Sequence, residues 1–99
     1  MIIIAGTVTV KQGLRDEAMR AASDMVEATR AEPGCRAYAF YADLQDPHTF
    51  FLFEEWESEE ALQRHFATPH MAAFRAHLPG LLAAPIAIKR YAVASAVTM

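Results

Sequence analysis

Apolar residues alternate along the start of the chain and then change period. Residues 2–10 are rich in β-branched side chains and predict a strand. Across 14–31 the apolar positions recur at helical spacing: Leu14, Ala18, Ala22 and Met25 form one stripe, with Val26 at its edge. Asp16, Arg20, Ser23, Glu27 and Arg30 fall on the opposite side. Pro33-Gly34 closes this helix, since Pro has no N–H to donate and Gly accepts a positive φ. Strands are predicted over 35–43 and 48–57, and Gln45-Asp46-Pro47 between them is turn chemistry, so the two form an antiparallel hairpin. Ser58 predicts a helix N-cap, and Glu59 and Glu60 suit the positive end of that helix. Thr68-Pro69 repeats the signal, a capping hydroxyl followed by Pro at the first helical position. The second helix is therefore broken in two, and its second piece ends near Pro79-Gly80. A last strand spans 86–94. The order βαββαβ over a single domain, 1–99, predicts an α+β, ferredoxin-like fold: a four-stranded antiparallel sheet with helices on one face.

One part of the pattern goes beyond that fold. A sheet with one wet face alternates apolar and polar residues. Here Phe50 and Leu52 point one way while Phe51 and Phe53 point the other, and Tyr38 and Phe40 oppose Ala39 and Tyr41. The helices cover one face only. The second apolar face predicts a covering partner, most simply another copy of the sheet in a two-fold homodimer.

Composition narrows the function classes. Of 99 residues, 54% are hydrophobic, which excludes a disordered chain. The net charge is −3 and the Lys and Arg residues form no stripe, so nucleic acid is not an expected partner. No apolar run is long enough for a membrane span, and the apolar start lacks the basic residues and cleavage site of a signal peptide. The lone Cys35 cannot form an internal disulfide and suits a cytoplasmic location. It has no basic neighbour in sequence and is not an expected nucleophile.

The chemistry-bearing residues gather between Phe50 and Leu82, where one Trp and three His stand among apolar positions. That mixture suits an oily pocket with a few polar groups. His65 lies three residues after Leu62 and beside Phe66, next to the core-facing stripe. It reads as a general base for a phenolic hydroxyl or as a boundary histidine bonded to a backbone carbonyl. His70 sits in the first turn after Pro69, where the helix dipole disfavours protonation; it reads as a base or as a capping residue. His65 and His70 are five apart across a Pro break and no carboxylate completes a tight set with them, so no metal site is expected. Trp56 is the expected pocket wall, its ring stacking on a planar ligand and its N–H donating one bond. Glu54 shares a strand face with Trp56 and, if that face is buried, needs a partner or a raised pKa. Tyr38, Phe40 and Tyr41 supply further aromatic wall.

Three segments together, Glu32-Pro33-Gly34-Cys35, Glu55-Trp56-Glu57-Ser58 and His65-Phe66-Ala67-Thr68-Pro69-His70-Met71, resemble the antibiotic biosynthesis monooxygenase domain, in its quinol-monooxygenase-like branch. The resemblance spans nearly the whole chain. It implies a dimeric α+β barrel with a pocket between sheet and helices, and oxygenation that uses no metal, flavin or haem. Polyketide-oxidising members carry Asn where this chain has Leu52, and the haem-degrading pattern is broken at His65 and Arg75. The expected activity is a cofactor-independent monooxygenase that oxidises a small hydroquinone or polyphenol with dioxygen. His65 and His70 are the candidate catalytic residues, and Trp56, Tyr41, Phe40, Leu52, Leu62, Phe66 and Phe74 the candidate substrate-binding residues. The alternatives are an isomerase or tautomerase of the same fold, and a ligand-binding stress protein without chemistry.

Overall fold

A computed structural model describes all 99 residues. The elements are β1 (Ile2–Thr9), α1 (Arg15–Arg30), β2 (Cys35–Ala42), β3 (Thr49–Trp56), α2 (Glu59–Phe66), α3 (Pro69–His77) and β4 (Ala87–Ala92), with a 3₁₀ turn at Leu78–Gly80. Each expected element is present, displaced by no more than two residues at its ends. The sheet order is β2-β3-β1-β4, with every neighbouring pair antiparallel. This is the ferredoxin-like α+β arrangement.

Register decides which side chains meet. Ile4 pairs with Glu54, and Glu54 pairs with Tyr38; Ile2 pairs with Trp56, and Trp56 with Cys35. Ile2, Ile4, Tyr38, Leu52 and Trp56 therefore share the helix-covered face and form one core cluster with Met25, Ala61 and Leu62. A second cluster, Val8, Val10, Ala18 and Leu81, lies at the other end of the sheet. Phe40 packs against both.

The broken helix follows its caps. The Ser58 hydroxyl accepts from the Ala61 N–H at 3.2 Å, and the Thr68 hydroxyl from the Met71 N–H at 3.2 Å. Each satisfies a donor that the first helical turn leaves free. Pro69 opens α3 where a missing N–H costs nothing. Arg90 of β4 pairs with Glu59 at the start of α2.

Two glycines are required by close approach. A Cβ on Gly6 would lie 2.1 Å from the Ala87 carbonyl oxygen, so any side chain there would push β4 off β1. Gly34 has φ +84°, and a Cβ on it would lie 2.5 Å from the Ala61 Cβ. The loop before β2 thus presses directly on α2, which carries Glu32 to the histidines.

The face away from the helices is apolar and open. Tyr41, Phe51 and Tyr91 are 58%, 43% and 47% exposed. No helix is long and apolar enough to cross a membrane.

Candidate functional site

Three segments converge at one end of the helix-covered face. Glu32 comes from the α1–β2 loop, His65 from the last turn of α2 and His70 from the first turn of α3. Oε2 of Glu32 lies 2.7 Å from Nδ1 of His65 and 2.7 Å from Nε2 of His70. An ionised carboxylate only accepts, so both ring nitrogens are the protonated ones. In the neutral ring this tautomer places the lone pair on Nε2 of His65, the form a general base requires. The expectation that no carboxylate joins the two histidines is corrected here. The Pro33–Gly34 turn brings Glu32 across 33 residues of sequence to His65.

The donor set of two imidazoles and a carboxylate is one that divalent cations accept, and its atoms lie within 4.8 Å of one another. A tetrahedral zinc with bonds of about 2.0–2.1 Å would hold its ligand atoms about 3.3 Å apart. The 2.7 Å separations are those of charge-assisted hydrogen bonds. The three residues form a hydrogen-bonded set that would have to open to admit an ion.

Trp56 and Glu54 complete the cluster. The Trp56 ring is fully buried and lies 4.7 Å, centroid to centroid, from His65. Its Nε1–H donates to Oε1 of Glu54 at 2.9 Å. Glu54 is buried, and that burial pushes its carboxyl up to about 7; the Trp56 bond opposes the shift and the Glu32 charge adds to it. Tyr38 is buried beside them, its ring 5.9 Å from His65. Burial, then the Glu54 charge, raises its phenol above the usual range and keeps the hydroxyl protonated. Burial also raises the Cys35 thiol, followed by the charges of Glu32 and Glu54, which removes it as a nucleophile.

Glu54 yields a pH-dependent stability. Its folded value of about 7 stands above the 4.5 of an unperturbed glutamate. Its protonated form is therefore favoured by folding, and this contribution is complete below about pH 4.5 and lost as pH rises through 7. Urea unfolding at pH 5 and pH 8 should show a decline on the order of 3 kcal/mol from this group. Glu54→Gln should flatten that decline. An unchanged pH profile in the variant would place the titrating group elsewhere.

Next to this cluster, α1, α3 and the sheet enclose a cleft of about 760 Å³. Phe40, Phe50, Phe74, Val26 and Leu78 contribute to its apolar wall. Phe40 and Phe74 also pack on the core cluster that holds Trp56. Tyr38 lies 5.8 Å from Phe40, so His65 stands one ring behind the cleft wall.

The expected site residues thus separate into groups. Phe40 and Phe74 line the cleft. Trp56, Leu52 and Leu62 pack in the core behind it. Phe66 is partly exposed, with its ring 5.9 Å from His65. Tyr41 lies on the outer sheet face paired with Phe51 and meets the cleft at the rim of edge strand β2. Glu32 is the residue that local reading missed as a site residue. The available signal was its place in the Glu-Pro-Gly step, which forces a turn.

Comparison with known proteins follows the same lines. The family model described as antibiotic biosynthesis monooxygenase matches residues 1–77. The Bacillus subtilis protein named "Putative monooxygenase YcnE" is 32% identical over 90 residues, covering 91% of this chain and 95% of that protein. An uncharacterized Synechocystis protein, sll1783, is 38% identical over 98 residues, covering 99% of this chain and 67% of its own length. The structure of Rv0793 from Mycobacterium tuberculosis superposes with a TM-score of 0.90 at 28% identity, covering 98% of both chains.

Proposed function

Because the chain belongs to the antibiotic biosynthesis monooxygenase family, we propose that it oxidises a quinol-like or polyphenolic ring with dioxygen, without metal, flavin or haem. The observation that carries this reading is the Glu32-anchored His65, packed against Trp56 behind an apolar cleft. The substrate ring passes the Tyr38–Phe40 wall that stands between the cleft and His65, and His65 then takes a phenolic proton. The electron-rich anion then reduces dioxygen itself, and the two recombine at a ring carbon. One oxygen atom stays on the ring and the other leaves as water, whose two hydrogens come from the substrate. The protein supplies the base, the orientation and an apolar surround.

An oxygen electrode with a panel of quinols tests the reading. Uptake should match quinol consumed one to one, in protein treated with a chelator. Absence of uptake across the panel would remove the oxygenase assignment. A second reading has its own support: Glu54, with its carboxyl near 7, and His65 flank Trp56 as two proton-transfer groups. That arrangement suits an isomerase or tautomerase, and turnover without oxygen uptake would select it.

The proposal includes a homodimer through the open sheet face. Tyr41, Phe51 and Tyr91 are the aromatic residues it would bury. An obligate interface of this kind covers on the order of 2,000 Å² or more. Light scattering should give twice the 11.0 kDa chain mass, and Phe51→Glu should shift it toward one chain mass. A wild-type monomer at micromolar concentration would end the proposal.

A further inference from the structure

We infer that the cleft selects an elongated aromatic ligand bearing an acidic group, with Arg15 as the residue that holds the anion. This deepens the proposed function by naming the charge class of its substrate, and it rests on the cleft being the substrate site. The chain as a whole is acidic, with a net charge of −3. The charged residues that line the cleft run the other way: Arg15 and Arg30 against Glu27.

Neither arginine has a carboxylate partner; the ion pairs of the chain lie elsewhere. Both are fixed through the inner nitrogen. Arg15 Nε donates to the Pro47 carbonyl at 2.7 Å, and Arg30 Nε to the Tyr38 carbonyl at 2.9 Å. A guanidinium held this way keeps terminal N–H groups for an oxyanion. On Arg15 the one further contact of the fork is Nη1 to the Met19 thioether, a weak acceptor. Its Cζ lies 5.5 Å from the centre of the Phe50 ring, which is itself cleft wall. An aromatic body against Phe50 would therefore meet a pinned cation at its edge.

The two arginines open and close α1, so they stand about 22 Å apart along the helix. They cannot clamp one acid together. Arg30 is bonded to Tyr38, the residue in ring contact with His65, and marks the reacting end. Arg15 marks the far end. A ligand with its ionising hydroxyl toward Tyr38 and a permanent carboxylate or sulfonate toward Phe50 satisfies both.

The test uses binding alone, so it stands whether or not oxygen is consumed. The probes are 1-anilinonaphthalene-8-sulfonate and its uncharged counterpart N-phenyl-1-naphthylamine, titrated by fluorescence. The wild type should bind the sulfonate about 10-fold more tightly or better, as a charge-assisted pair implies. Added salt should weaken the sulfonate only. Arg15→Gln should remove the preference while leaving the neutral probe within about twofold, a comparison that general loss of folding would not reproduce. Ala22→Trp, which narrows the cleft, should weaken both. Equal affinity for the two probes in the wild type would overturn the inference. So would an Arg15→Gln variant that retains the preference, or sulfonate binding that Ala22→Trp leaves unchanged.

Discussion

His65→Ala is expected to lower turnover on a quinol by about 10²-fold or more, the usual scale for losing a general base. Binding should change less, because His65 stands behind the cleft wall and not in it. The loss is expected in kcat with KM nearly kept. Substitution also leaves a space beside Trp56, and the Glu32 carboxylate keeps His70 as its partner. Imidazole added to the variant should enter that space and restore part of the rate, which separates the missing base from disturbed packing. His70→Ala should cost less, because its part is to hold Glu32 from the other side. Turnover that survives in His65→Ala and fails in His70→Ala would transfer the base to His70. Turnover retained in both would leave ionisation to the substrate alone.

Trp56→Ala carries the largest expected effect on stability, about 3–5 kcal/mol. The ring is completely buried and touches two polar groups of the site, Glu54 and His65. Its removal opens a cavity and strips Glu54 of its donor. Trp56→Phe divides these losses, since it keeps most of the volume and discards the N–H. The cost should fall to about 1–3 kcal/mol, the penalty for a buried acceptor without its bond. The Glu54 carboxyl should also titrate higher, because the Trp56 bond is what lowers it. Cleft affinity in Trp56→Phe should stay close to the wild type, in contrast to a residue that stacks on the ligand. Chemical denaturation and probe titration on the same two variants decide the matter. A large loss of affinity in Trp56→Phe with stability unchanged would return Trp56 to the ligand surface.

The fold was legible because its signals are local. Ser58 and Thr68 cap helices through bonds that reach three residues, and such bonds are written in adjacent sequence. The two-sided strands announced themselves by breaking the apolar–polar alternation of a half-wet sheet. That same break could not say which side faces the helices when both neighbours are aromatic, and Tyr41 is the example. Its pairing with Phe51 puts it on the outer face, a fact of register that no single strand contains. Glu32 is the other kind of failure. On one continuous helix, residues 65 and 70 would point about 140° apart. The break at Thr68-Pro69 turns them toward one point, and the left-handed Gly34 delivers the carboxylate there. Both effects are long-range consequences of two short turns.

Trp56 is the only tryptophan in the chain. Its ring rests on His65 and its indole nitrogen on Glu54, so the tryptophan fluorescence of the protein comes from inside the cluster. An excited indole readily gives an electron to a protonated imidazole, and the emission dims when that happens. The molecule thus carries its own optical gauge. Every ligand that shifts the His65 ring against the indole should register as a change in one lamp, with no label attached.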